Sequence, residues 1–234
     1  VSRKSRGIVT HKALATIWNE LKNHSNLVEK KENDLSFLVR MAVEANKEDF
    51  TNPTDIETAC VEVEKNLLNS LILKWIEFEK TAPPFIASML EEEIKVVIDD
   101  LKLTCRVDRV DILDNGTKRI VDYKTGECSL STLNPPRTDS PQLLLYAVYS
   151  SVEKVSSVAF AKVNSFDSRF LARDISDLTE KHPSWQADLE GIADELQRGF
   201  ASVMPKRGLV TCASCDQQLF CRIKTKDMNA DDVD

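Results

Sequence analysis

The stretch Arg106 to Lys124, RVDRVDILDNGTKRIVDYK, constrains this chain more than any other. Val107, Val110, Ile112 and Leu113 are apolar, Asp114-Asn115-Gly116 is a strong turn signal, and Ile120-Val121 resumes an apolar run. The pattern predicts a β-hairpin. Asp108 lies in the first arm. Asp122 and Lys124 lie at the end of the second, two apart, so both leave the same face of the strand. Two carboxylates and a lysine on neighbouring strands suit a divalent metal with a cation beside it. The carboxylates supply hard oxygen ligands. The lysine can orient or deprotonate a water, or offset charge on a phosphate. A D-x-K pair alone is ordinarily a solvated face. Here the string around it is longer and more specific.

Downstream, VDYKTG leads through an irregular loop, Thr125 to Asp139, into the helix Pro141 to Ser151. Asp139 or Ser140 can cap it, and proline suits its first position. Gln142 and Tyr146 are four apart and share a face. Val155 to Val163 then reads as a buried strand, making a crossover unit. Asn164 to Ser176 predicts an edge hairpin and a loop. Ser184 to Met204 predicts a long helix with Trp185, Leu189, Ile192, Leu196 and Phe200 in register, stopped by Pro205 and Gly208.

Upstream, helical spacing marks Gly7 to Lys22, through Leu14, Ile17, Trp18 and Leu21, with His11 near its start. Ser25 to Glu32 reads as a polar connection. Leu35 to Phe50 is a second amphipathic helix. A third begins at Thr54 or Asp55 and runs to about Glu79, burying Val61, Leu67, Leu68, Leu71, Trp75 and Phe78. Pro83-Pro84 ends it. The sheet is expected to begin at Ile94 to Ile98, turn at Asp99-Asp100, and continue through Leu101 to Leu113 and Lys118 to Lys124. The run Glu91-Glu92-Glu93 reads as a solvated face with no assigned role.

At 234 residues and 42% hydrophobic, the chain can bury a sizeable core. Its net charge of −7 argues that this piece alone grips nucleic acid weakly, since phosphate binders usually present a basic stripe. A metal would make its carboxylates compatible with phosphate. No apolar run reaches the length of a membrane span, no signal-peptide pattern is present, and no membrane partner is expected. The start at Val1, in a basic SRKSR stretch, reads as a fragment of a longer protein. Six cysteines without secretory features read as reduced thiols or metal ligands. Cys105 and Cys128 are expected to be small buried hydrophobes. Cys212, Cys215 and Cys221 form C-x2-C-x5-C, an ordinary spacing for zinc or an iron–sulfur cluster.

VDRVD, the short turn, VDYKTG and the helix SPQLLLYA together resemble the PD-(D/E)XK nuclease superfamily, and within it the RecB/AddB-type nuclease domain of bacterial DNA repair proteins. The resemblance runs from Arg6 to Arg222. It implies a restriction-endonuclease-like α/β core, a mixed sheet flanked by helices, with an all-α insert. The expected organisation is one nuclease domain over 1–222, the insert at 23–85, and a disordered tail at 223–234. In RGIVTHKAL, Gly7 precedes His11 by the family's four-residue spacing, which implies His11 as a metal ligand. Imidazole is a plausible third ligand beside two carboxylates.

The resemblance therefore implies Asp108, Asp122 and His11 as ligands of Mg²⁺ or Mn²⁺. Lys124 acts on the attacking water, and Gln142 and Tyr146 support the site. It also implies a 4Fe-4S cluster in the full-length protein, held by Cys212, Cys215, Cys221 and a cysteine upstream of the histidine helix. No cysteine precedes His11 here, so the fourth ligand lies before Val1 or is Cys60. The implied function is metal-dependent DNA hydrolysis, as an exonuclease in recombination or double-strand-break repair, in the bacterial cytoplasm beside a helicase-type domain or subunit. RNA remains open as a substrate. The alternatives are a catalytically weak DNA-end-binding or scaffolding module, and a domain in which only the cysteine end matters. A degenerate copy should have lost Asp108, Asp122 or Lys124, and all three are present.

Overall fold

The Arg106–Lys124 stretch folds as the hairpin its alternation predicts. In this computed structural model, which describes residues 2–50, 55–134, 138–164, 166–181, 184–200, 203–213, 215–218 and 221, its arms are β2 (Leu101–Leu113) and β3 (Lys118–Lys124). Gly116 takes φ 76° at the turn, and its N–H donates to the Leu113 carbonyl at 2.8 Å. Only glycine and a few polar residues adopt that backbone cheaply. Before the hairpin lies β1 (Phe85–Ile98), and after it come β4 (Val155–Lys162) and β5 (Arg169–Asp174). The sheet order is β1-β2-β3-β4-β5. Among the described residues only β3 and β4 run parallel; the other pairings are antiparallel. The parallel step needs a crossover, which α5 (Gln142–Tyr149) supplies. The result is a mixed sheet flanked by helices, an α/β fold of the restriction-endonuclease-like kind.

Helices cover both faces. On one side pack α1 (Arg3–Leu21), α3 (Glu32–Ala45) and α4 (Asp55–Glu79). Leu14, Ile17, Trp18, Leu35, Ile72 and Trp75 are buried there against Phe85, Val121 and Tyr123. Ser2 caps α1, its hydroxyl accepting from Ser5 N at 3.0 Å. On the other side, α5 and α7 (Ser184–Gln197) bury Leu143, Leu144, Trp185 and Leu189 against Ile94, Val96, Val110 and Ile120. Cys105 and Cys128 pack at the margin of this second core, where burial raises both thiol pKa values. No helix among the described residues is long and apolar enough to cross a membrane.

The first core contains charge. Arg109 is fully buried, its Nη2 2.7 Å from Glu79 Oε1 and its Nε 2.9 Å from Asp111 Oδ1. Nη1 donates to the Tyr123 hydroxyl at 2.8 Å. The guanidinium lies 4.9 Å from the Trp18 and Phe85 ring centres. Arg119 adds a second cation, 2.8 Å from Asp111 Oδ2. Burial pushes the Glu79 carboxyl above its ordinary range, with the Arg109 charge opposing it.

Several elements differ from the sequence expectation. The expected connection after α1 contains α2 (His24–Glu29), too short to show a period; Asn23 caps it, accepting from Asn26 N at 2.8 Å. The first strand starts nine residues before Ile94, because the glutamate run lies inside it. Leu67 is exposed on α4, where Leu68, Ile72 and Ile76 carry the buried stripe. The last long helix stops at Gln197, not Met204. Gly199 takes φ 69°, and the Phe200 N–H donates to the Glu195 carbonyl at 2.8 Å, closing the helix end. Its buried stripe is Trp185, Leu189 and Ala193, at four-residue steps, so Ile192 and Leu196 face water, as does Phe200 beyond the end. The segment 164–176 contributes one strand, β5, and then α6 (Ile175–Lys181). The tail at 223–234 lies outside the described residues.

Candidate functional site

Side chains of a regular strand alternate between faces. Besides a register shift between Ala87 and Met89 in β1, that alternation switches in both β1 and β2 at one shared level. Leu90 packs on the α1 side, whereas Ile94, Val96 and Ile98, of the same parity, pack on the α5 side. On β2, Val107 and Val110 both lie on the α5 side although three apart. The switch in β1 coincides with Glu91, whose φ is 51°, a left-handed value that costs a non-glycine residue energy. The neighbouring pairs Leu90↔Arg109 and Glu92↔Val107 place Glu91 opposite Asp108. The irregularity thus sets two carboxylates side by side.

Asp108 sits where β2 parts from β3. Their ladder runs from Ile112↔Lys118 to Arg109↔Val121. Beyond it, Asp108 Oδ2 accepts from the Tyr123 backbone N–H at 2.8 Å, a carboxylate standing where a carbonyl would otherwise bond. His11, from α1, brings Nδ1 to 3.3 Å from Asp108 Oδ2 and 3.7 Å from Glu91 Oε1. Its ring meets Tyr123 edge-on at 5.9 Å. Among the described residues, His11, Glu91 and Asp108 are the group whose ligand atoms gather closely enough for a metal ion.

Asp122 is buried on β3, its Oδ2 2.6 Å from the Nζ of half-buried Lys124. Lys124 lies 5.8 Å over the Phe160 ring. Asp122 thus stands beside Lys124, outside the group whose ligand atoms lie within 4.8 Å of one another. Burial raises the Asp122 carboxyl, the Asp108 charge raises it further, and Lys124 opposes both. Burial and Asp108 likewise raise Glu91. For His11, burial opposes protonation, but contact with Asp108 and the charges of Glu91 and Asp122 lift its pKa above the usual value.

The donor set fits a hard divalent cation. Glu91 Oε1 is buried with no hydrogen-bond partner, beside a second carboxylate and an imidazole. A buried carboxylate oxygen without a hydrogen bond is costly, the His11 ring at 3.7 Å being too far to supply one, and a cation would satisfy it. The sequence alone places Glu91 only in a solvated acidic run. Register could have found it, because pairing Ile98 with Leu101 across the turn and counting back sets Glu91 opposite Asp108.

A family model described as the PD-(D/E)XK nuclease superfamily matches residues 1–222. The chain belongs to the PD-(D/E)XK nuclease superfamily. No curated protein matches it. A solved structure described as "Crystal structure of SSO0001" is similar at 16% identity and a TM-score of 0.40, covering 95% of this chain and 98% of that one. Superfamily membership supports metal-dependent hydrolysis of nucleic acid, and the cluster offers a candidate acidic site for the metal.

In this PD-(D/E)XK chain, Gln142 Nε2 donates to the Tyr146 hydroxyl at 2.8 Å, and that hydroxyl donates to the Arg106 carbonyl at 2.9 Å. The pair ties α5 to β2 two residues before Asp108. Cys212 lies in α8 (Leu209–Ala213), and the Cys215 N–H donates to its carbonyl at 3.1 Å. Cys221 follows, its N–H donating to the Gln217 carbonyl at 2.8 Å. All six thiols are free, and Cys60 is exposed on α4.

A test of the cluster follows from its chemistry. Glu91→Gln is expected to weaken Mn²⁺ binding at least about tenfold. Acid should weaken binding to the native protein, because the raised groups Asp122, Glu91 and His11 must all give up protons to it. Calorimetry in two buffers of different ionisation enthalpy would show proton release. Unchanged affinity in the variant would remove Glu91 from the ligand set.

Proposed function

We propose that this chain is a metal-dependent deoxyribonuclease domain of the RecB/AddB type, acting as an exonuclease in recombination or double-strand-break repair. The observation that carries the reading is the gathering of His11, Glu91 and Asp108 beside the Asp122–Lys124 pair. His11, Asp108 and Asp122, with Glu91 added, would hold Mg²⁺ or Mn²⁺. When bound, the cation supplies Lewis-acid chemistry at the phosphodiester. Lys124, half-buried and paired with Asp122, presents Nζ as a proton-bearing cation that orients the attacking water or offsets phosphate charge. Asp108 is held in place by the Tyr123 N–H. Gln142 and Tyr146 brace the strand that carries Asp108.

The reading extends to a bacterial, cytoplasmic repair system with a helicase-type domain or subunit supplying DNA ends. It includes an iron–sulfur cluster in the full-length protein, held by Cys212, Cys215, Cys221 and a fourth thiolate. Such a cross-link would stabilise the domain by constraining its unfolded state. Iron and sulfide analysis of the purified chain tests that part, and an upstream-extended chain without iron would overturn it.

The deciding experiment is cleavage of end-labelled linear and closed circular DNA, and of RNA, with Mg²⁺, Mn²⁺ or EDTA. Metal-dependent nucleotide release from linear DNA alone is the expected result. Binding to DNA ends without cleavage under any metal would establish an end-binding module instead.

A further inference from the structure

Three cations stand in register across one edge of the sheet. Lys124 on β3 pairs with Lys162 on β4, and Lys162 pairs with Arg169 on β5. Paired residues of neighbouring strands leave the same face, with strands about 4.8 Å apart. The row therefore begins at the Asp122–Lys124 pair and leads away from it. Lys162 Nζ lies 2.9 Å from Glu127 Oε2 and 3.4 Å from Asp167 Oδ2, and Arg169 Nη2 lies 3.2 Å from Asp167 Oδ2. Lys162 is buried, its side chain 5% exposed, whereas Arg169 and Asp167 are 52% and 45% exposed. The Arg169–Asp167 pair, exposed on both sides, is weak and readily exchanged, while Lys162 holds the row in place beneath it.

Between β4 and β5 stands Phe166, 98% exposed, the most exposed large apolar side chain among the described residues. Its backbone N–H donates to Asn164 Oδ1 at 2.9 Å, and the Ser168 hydroxyl donates to the Asn164 carbonyl at 2.6 Å. A single exposed phenylalanine is ordinary. An aromatic ring held out in water next to a row of cations is the combination that binds single-stranded nucleic acid, with cations tracking the backbone and the ring stacking on a base.

We propose that Phe166, Arg169 and Lys124 form a binding site for single-stranded nucleic acid. Phe166 stacks on an unpaired base, and Arg169 exchanges its carboxylate partner Asp167 for a backbone phosphate. The strand then reaches Lys124 across β4. This inference rests on the nuclease reading above for its direction.

The native tryptophans Trp18, Trp75 and Trp185 are all buried, so Phe166→Trp adds one exposed reporter. It is titrated with a single-stranded oligonucleotide and with a blunt duplex of the same length, in Ca²⁺ to suppress cleavage. Saturable, salt-sensitive quenching by the single strand, and at least about tenfold weaker response to the duplex, is the expected result. Phe166→Ala should weaken single-strand binding about tenfold, and raise KM with little change in kcat. Asp167→Asn should tighten binding, because it releases Arg169. An unquenched Phe166→Trp at saturating oligonucleotide, or unchanged affinity in Phe166→Ala, overturns the proposal. So does an emission change that follows protein concentration without nucleic acid, which marks a protein contact. If the native chain cleaves DNA and Phe166→Ala behaves identically, this site fails and the nuclease reading stands. If nothing is cleaved yet single strands quench Phe166→Trp, the nuclease reading fails and the binding site stands.

Discussion

Asp122→Asn is expected to lower Mg²⁺-dependent DNA cleavage by about 10²–10³-fold or more while leaving the fold as stable as before. The substitution keeps volume and removes one charge. In the metal-free protein that charge is unwelcome, since burial and Asp108 both push the Asp122 carboxyl towards protonation. Lys124 loses its partner, but its half-exposed head can be solvated. Activity and stability should therefore separate, the first falling and the second unchanged or slightly raised. Lys124→Ala should also stop cleavage but spare metal binding. The assay is nucleotide release from linear DNA alongside a urea melt. Undiminished activity in either variant removes that residue from the mechanism.

Arg109→Met should destabilise the protein by about 3–5 kcal/mol, the usual consequence of stripping one partner from a buried ion pair. Arg119 still faces Asp111, so Glu79 is the carboxylate left without a close cation. The double variant Arg109→Met with Glu79→Leu should recover much of the loss, because an apolar pair of similar volume often replaces a buried salt bridge at little cost. The pH dependence has a definite sign. The Glu79 pKa is already raised by burial, so the deficit of the single variant should shrink as pH falls and Glu79 takes up a proton, and grow as pH rises. A deficit independent of pH, with no recovery in the double variant, would mean that shape and not charge is what Arg109 supplies. Urea melts at several pH values decide it.

Both expectations concern the hairpin that was most legible in the sequence, and the reason is physical. β2 and β3 carry clear turn chemistry at Asp114-Asn115-Gly116 and apolar residues on both arms, so their bounds could be read directly. Asp108, Asp122 and Lys124 were legible with them. His11 needed the family likeness, since nothing in α1 itself sets it apart from a packed histidine. Glu91 was illegible by periodicity because it is the residue at which periodicity breaks. A charge run and a left-handed strand residue look alike in a sequence, and only the register with β2 separates them. The end of α7 failed for the opposite reason. Apolar residues continued past Gly199, and the glycine's left-handed turn outweighed them.

The change of face at Glu91 and Asp108 also governs how the molecule comes apart. Near the Asp99 turn, the β1–β2 hairpin packs on the core under α5 and α7 alone; on the Pro84 side of Glu91 it faces both cores, with Phe85 and Leu90 under α1 and α4 and Met89 and Val110 under α5 and α7. One pair of strands is thus shared by both halves, and the carboxylates sit at the point of sharing. Neither half can open without pulling on them. Amide exchange in the two ends of the hairpin should accordingly proceed through the same global opening. On heating, metal binding should vanish at the temperature at which the last native tryptophan is exposed, with no inactive but folded state in between.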